Sequence, residues 1–191
     1  RCRYPLEGGV DFNLIDAYFT GAATVIDSIT AIDKLVFKEK RYSLPEFVQI
    51  LKGNFAGHSL LQAELKNKFP KFGNDDEEGD RYAAPAMNAV LDALDEIDWP
   101  EGYIPVGGFY SLYHHRTFGR ELCATPDGRM AGEHYSENQS PVYGADKKGV
   151  TALLTSLAKL PFQRTACGGV NLTFSSPVTP ELLASLIKGY F

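Results

Sequence analysis

Arg129, Glu133, His134 and Glu137 stand close together in the chain, a density of groups able to hold an anion or move a proton. Arg129 follows Thr125-Pro126-Asp127-Gly128, whose Pro and Asp-Gly pair signal a tight turn. A guanidinium placed after such a turn can grip a carboxylate or phosphate through its planar fork, and it can equally pair with Asp127 or a nearby carbonyl. Upstream, Asp75-Asp76-Glu77-Glu78 places carboxylates just ahead of a helical pattern, where they satisfy free N–H groups and the positive helix end. A calcium loop would need alternating oxygen ligands and a bidentate Glu at its last position, a spacing these residues lack. His114 and His115 are adjacent, so on a strand they would face opposite sides. His58 and His134 have no thiol or acidic partner at ligand spacing, and no metal site is expected. Cys167 lies three residues after Arg164 and before Gly168-Gly169; it reads either as a thiol near positive charge or as a small apolar filler. A hydrolase using Asp75, Asp76 and Arg129 with a metal or phosphate would be stabilised by added divalent cations.

These groups need a scaffold, and the apolar periodicity supplies one. Residues 1–20, with Gly8-Gly9 and alternating Val10, Phe12 and Leu14, read as a loop-rich or strand-like lead-in. From Thr20 or Gly21 a helical period follows on Val25, Ile29, Ile32 and Val36. Ser43-Leu44-Pro45-Glu46 fits a capping box ahead of Phe47, Ile50 and Leu51. Further helices are predicted over Ser59–Lys68 and Tyr82–Ile97, the latter with Met87, Val90 or Leu91, Leu94 and Ile97 on one face. Tyr103–His115 reads as strand, 117–149 as a long polar loop of the kind that carries function, and Thr151–Leu160 as a helix. Val170–Ser175 alternates as a strand, and Thr179-Pro180 caps a last helix through Leu183, Leu186 and Ile187. Residues 1–100 are thus mainly helical and 101–191 mix strands, loop and helices, an α/β pattern.

Composition narrows the function classes. The 191 residues are 44% hydrophobic with a net charge of −5, enough for a packed core and poorly suited to nucleic acid. No apolar run is long enough to span a membrane. Three scattered cysteines suit a reducing compartment, so a cytoplasmic protein is expected. The chain starts at Arg1 rather than Met and stops at Phe191 within a helical pattern, which leads us to expect a piece of a larger protein.

Taken in series, several segments resemble the glycyl radical enzymes, the family of pyruvate formate-lyase. They are Lys71-Phe72-Gly73-Asn74-Asp75-Asp76-Glu77, then Ala124 through Gly132, then Ser140-Pro141. Gly144-Ala145-Asp146-Lys147-Lys148-Gly149, Thr151 through Phe162 and, earlier, Asp27 through Phe37 extend the likeness over essentially the whole chain. The resemblance implies part of a ten-stranded α/β barrel. It also implies a stored glycyl radical, installed in the parent protein by an S-adenosylmethionine iron–sulfur activating enzyme, and a thiyl cysteine that attacks the substrate. The family's Gly-Cys-x-Glu loop and its Arg-Val-x-Gly-Tyr or Phe signature are both missing. Cys2, Cys123 and Cys167 do not fit the first, and Lys188-Gly189-Tyr190-Phe191 lacks the Arg-Val of the second.

By this resemblance the chain is expected to be an inactive piece of a lyase or acyltransferase that breaks a C–C or C–X bond of a small substrate, of formate-lyase, dehydratase or decarboxylase type. No catalytic residue, bound cofactor or metal is assigned to it. Arg129, Glu133, Glu137, Val170 and Leu172 are its candidate substrate-binding residues. The expected partners are the rest of the barrel, the activating enzyme, the substrate and a second copy in a homodimer, with neither nucleic acid nor membrane. The rival reading is a scaffold or split-subunit module that has lost the radical residues.

Overall fold

A computed structural model describes residue 4 and residues 9–174 and 177–190. Its sheet has three parallel strands in the order β1 (Asn13–Phe19), β2 (Tyr103–Phe109), β3 (Thr165–Gly168). β1 and β2 pair without a break from Asn13↔Tyr103 to Phe19↔Phe109, while the register against β3 shifts between Gly107 and Gly108. Strand alternation sends Ile15, Ala17 and Phe19 towards the helices and leaves Leu14, Asp16 and Tyr18 exposed on the other side. Among the described residues the sheet therefore has one covered face and one open face.

Helix α1 (Ala22–Ile32) starts where Gly21 turns into the left-handed region with φ 84, a conformation that suits a residue without Cβ. The stripe it buries is Ala22, Ala23, Ile26, Asp27, Thr30 and Ala31, not the predicted Val25–Val36 row; Val25 is exposed. Small residues on the buried side let the helix come close to its neighbours, and six residues of π-helix (Asp33–Lys38) then bring Leu35 inward. Helix α2 (Leu44–Lys52) has the predicted capping box. The Ser43 N–H donates to Glu46 Oε2 at 2.7 Å, and the Glu46 N–H donates back to Ser43 Oγ at 3.4 Å. Helix α3 (Ser59–Asn67) turns Leu61 and Leu65 inward. The short α4 (Glu77–Asp80) is capped by Asp76, whose Oδ1 accepts from the N–H groups of Glu78 and Gly79. Helix α5 (Ala83–Asp95) buries Met87, Leu91 and Leu94; it ends before Ile97, which is exposed.

The second half departs from expectation twice. The predicted strand Tyr103–His115 ends at Phe109, because Leu112 takes a left-handed φ of 45 and α6 (His114–Glu121) begins immediately afterwards. The predicted strand Val170–Ser175 does not form over 170–174; β3 lies earlier, and Ser175 is outside the described residues. Backbone groups that a strand would have used bond to the long loop instead: Gly169 O accepts from Gln139 N–H, and Asn171 N–H donates to Ser140 Oγ. Helix α7 (Val150–Leu157) buries Leu153 and Leu157. Helix α8 (Pro180–Tyr190) is capped by Thr179 Oγ1, which accepts from the Leu182 N–H, and it leaves Leu182, Leu183 and Ile187 exposed. Among the described residues no helix is long and apolar enough to cross a membrane.

Two apolar clusters hold these parts. One joins Ala23, Ile26, Phe72, Met87, Leu91, Phe109, Leu153 and Leu157 beneath the sheet; the other joins Leu35, Phe47, Phe55, Leu61, Leu65 and Phe69 among the helices. Next to Phe72 of the first cluster in the chain is the buried side chain of Lys71. Its Nζ donates to Asp127 O at 2.8 Å and sits 3.6 Å from Asp27 Oδ2, while Asp27 Oδ1 accepts from the Phe72 N–H at 2.8 Å. Burial pushes the Asp27 carboxyl from 3.8 up to about 7, against the opposing pull of Lys71 and the Phe72 N–H.

That shift fixes a pH dependence. Between about 3.8 and about 7 the folded state holds a proton on Asp27 that the unfolded chain has released, so stability falls as pH rises through this window. Urea midpoints measured across pH 4–8, an interval of about four units set by that window, are expected to show this slope in the wild type and a shallower one in Asp27→Asn.

Candidate functional site

The long loop is anchored over the carboxyl ends of all three strands. After β1, the Ser136 N–H donates to Thr24 Oγ1 at 2.9 Å, and the Thr24 N–H returns the bond to Ser136 Oγ at 3.0 Å. After β2, the Ser111 N–H donates to Asn138 Oδ1 at 2.8 Å, and the Asn138 N–H donates to Ser111 Oγ at 2.6 Å. After β3, Gln139 and Ser140 bond to the backbone of Gly169 and Asn171 at 3.0 and 2.9 Å. Residues 136–140 thus form a strap across the end of the sheet where parallel α/β folds meet their ligands.

Beside this end, the open face carries an acid, two phenols and an imidazole. The Tyr110 hydroxyl donates to Asp16 Oδ2 at 2.6 Å, and the Tyr18 hydroxyl lies 3.3 Å from His114 Nε2. The rings of Tyr18 and Tyr110 stack with centroids 5.1 Å apart, and His114 stacks on Tyr18 and Phe118. Tyr110 crosses β2 because Gly108 has no side chain: a Cβ there would lie 2.6 Å from Tyr110 Cε1 and 2.6 Å from Cys167 Sγ. Its hydrogen bond to Asp16 pushes the Tyr110 phenol up to about 12. Burial, with the Asp16 carboxylate nearby, raises the Cys167 thiol, the reverse of an activated nucleophile. Arg164, the charge expected to activate it, is paired with Asp92 and Asp95, each at 2.8 Å.

Three of the predicted binding residues, Arg129, Glu133 and Glu137, line two adjoining clefts. Arg129 borders one of about 480 Å³ together with Glu133, and its own side chain is buried. Its Nε donates to Thr125 Oγ1, Nη1 to the carbonyls of Gly119, Met130 and Glu133, and Nη2 to that of Cys123, with the guanidinium 4.5 Å over the Tyr135 ring. Of the uses open to Arg129, the geometry takes the carbonyl option: it shapes the loop from inside. Glu133 accepts from the Met130 N–H at 2.9 Å and from Lys66 Nζ at 3.2 Å. Desolvation works to raise its carboxyl, but those two donors outweigh it and hold it below its ordinary value.

Glu137 borders the second cleft, of about 620 Å³, with His115, His134, Asp146, Asn171 and Thr173. Val170 and Leu172 are half-buried and pack against the cluster beneath the sheet. His114 and His115 are helical neighbours rather than strand residues. His115 is buried, and desolvation lowers its pKa in favour of the neutral ring. Asp75 bonds Lys159 and Asp76 caps α4; among the described residues no contact joins either to Arg129. Asp16, Tyr18 and Tyr110 were missed from sequence because their link is a strand register, although Asp16 and Tyr18 at two-residue spacing offered half of the signal.

Comparison with known proteins agrees with this architecture. Residues 1–119 match the family described as pyruvate formate lyase-like. The probable dehydratase YbiW of Escherichia coli is 35% identical over 190 residues, which cover 95% of this chain and 23% of the relative. Isethionate sulfite-lyase of Bilophila wadsworthia is 33% identical over 148 residues, covering 78% of this chain and 18% of that enzyme. The glycerol-bound B12-independent glycerol dehydratase of Clostridium butyricum superposes with a TM-score of 0.89 at 32% identity, over 96% of this chain and 24% of that one. The chain spans about a quarter of the length of the solved glycerol dehydratase.

The bonds of Arg129 define a test. Lysine cannot reach these carbonyls together, so Arg129→Lys is expected to lower stability by about 2–4 kcal/mol in urea unfolding. An unchanged midpoint would assign Arg129 to a surface role instead.

Proposed function

The chain belongs to the pyruvate formate-lyase-like glycyl radical enzymes, and from that premise we propose that it is one wall of a radical barrel enzyme that breaks a C–C or C–X bond of a small substrate. The observation that carries this reading is the open sheet face. One side of the parallel sheet is packed under helices, and the other presents Asp16, Tyr18 and Tyr110 next to His114. Fully parallel sheets are normally covered on both faces. A barrel interior would cover this face while keeping its polar groups available to a substrate.

The glycyl radical, installed by an S-adenosylmethionine iron–sulfur activating enzyme, supplies hydrogen-atom abstraction. This chain's described residues do not fit the radical positions: Gly189 lies within α8, and neither Cys123 nor Cys167 stands in a Gly-Cys-x-Glu sequence. Its own residues have other tasks. Asp16 and Tyr110 present hydrogen-bond acceptors, Tyr18 and His114 fix the aromatic wall, and the 136–140 strap holds the strand ends in place. Glu137 stands over the cleft beside the strap as a further polar contact, while Arg129, Glu133, Val170 and Leu172 support the pocket from behind. Closing such a wall excludes water from a reactive intermediate. The same reading includes the rest of the barrel, the activating enzyme, a homodimer and a cytoplasmic setting.

The test is electron paramagnetic resonance on the complete protein that contains this chain, incubated anaerobically with an activating enzyme. A carbon-centred radical signal is expected. Its absence, with an activase that works on another substrate protein, would leave a scaffold or split-subunit module as the better reading.

A further inference from the structure

Building on that reading, we propose that the Asp16–Tyr110 pair makes the site selective for an uncharged hydroxylated substrate, a vicinal diol or polyol, over anionic ones. The direction of one hydrogen bond carries the inference. A phenol has a single O–H, and that of Tyr110 is given to Asp16 Oδ2 at 2.6 Å. What the Tyr110 oxygen can still offer a ligand is lone pairs. A carboxylate only accepts, and among the described residues Asp16 has no bond at its other oxygen. Two acceptors therefore sit side by side, matched to two neighbouring hydroxyl groups.

An anion meets the opposite situation. A carboxylate or sulfonate would bring lone pairs against lone pairs and a negative charge against Asp16. Among the described residues no Lys or Arg forms an ion pair or hydrogen bond with Asp16, Tyr18 or Tyr110 to offset this. The charged and titratable groups of this face are Asp16, the two phenols, His114 and the Cys167 thiol, which is raised and so favours its neutral form.

The acceptors are also held in place. Tyr110 is clamped by its stack on Tyr18, with an interplanar angle of 26°, and by the space that Gly108 leaves beneath it. A site built to bond a substrate hydroxyl discriminates strongly, because an unsuited ligand leaves its polar groups unpaired.

The experiment uses the complete protein after anaerobic activation and compares kcat/KM for propane-1,2-diol, glycerol, isethionate and pyruvate. A diol or glycerol is expected to be the best substrate. Tyr110→Phe, which keeps the ring and removes the acceptor, is expected to raise KM for that substrate by about tenfold. Asp16→Asn, which turns an acceptor into a partial donor, is expected to narrow the diol-over-isethionate preference by about tenfold. That ratio would not move if Asp16 only supported the fold, and the two variants are independent should one fail to fold. Higher kcat/KM for isethionate or pyruvate, or an unchanged ratio in folded Asp16→Asn, would overturn the inference while leaving radical chemistry intact. Failure to form any radical would overturn the proposed function, and this selectivity with it.

Discussion

The buried Lys71 ammonium is the joint on which the arrangement turns. It links helix α1 through Asp27 and the long loop through the Asp127 carbonyl. Taking a cation out of water is costly, and a partner lost on one side would leave a charge stranded. Asp127 adds to the constraint: its Oδ1 accepts from Thr125 Oγ1 and from the Arg129 N–H, so the turn that meets Lys71 also sets the place of Arg129. From there the Arg129 guanidinium gathers four carbonyls, and the loop leaves this knot already aimed at the strand ends.

That geometry explains how a segment without regular secondary structure can position a site. The strap has no strand or helix of its own over 136–140, yet its backbone and short polar side chains are bonded to the segments that follow all three strands, at Thr24 of α1, at Ser111 and at Gly169 and Asn171. Asn74 repeats the principle on the far side: its amide donates to Ala145 O and accepts from the N–H groups of Lys147 and Lys148. Side-chain amides and hydroxyls do here what a ladder of backbone bonds does in a sheet.

Much of this was legible from local chemistry. The Ser43–Glu46 capping box and the Thr179 cap were readable because each acts within one turn of chain; the acidic run reads as preceding a later helix, whereas Glu77 and Glu78 lie inside the short α4 that Asp76 caps. The buried face of α1 was misread: Ala22, Ala23 and Ala31 compete weakly in apolar pattern with Val25 and Ile29 but pack closer. His114 falls in a predicted strand because Tyr103–His115 is rich in aromatic and β-branched residues, and nothing local announces the left-handed Leu112 before α6. The Asp16–Tyr110 pair was out of reach, since its members are 94 residues apart in sequence and meet only through parallel register. Arg129 was visible as a special residue, but whether it faced a ligand or its own loop depended on contacts that spacing does not encode.

The open face of this sheet is the proposed substrate wall. A crystal structure of the complete protein with a bound diol tests it most directly. A diol hydroxyl is expected within hydrogen-bond distance of the Tyr110 oxygen or the Asp16 carboxylate, with other parts of the protein closing over Leu14 and Ile104. Density for the diol elsewhere, with Asp16 and Tyr110 packed directly against protein, would contradict it.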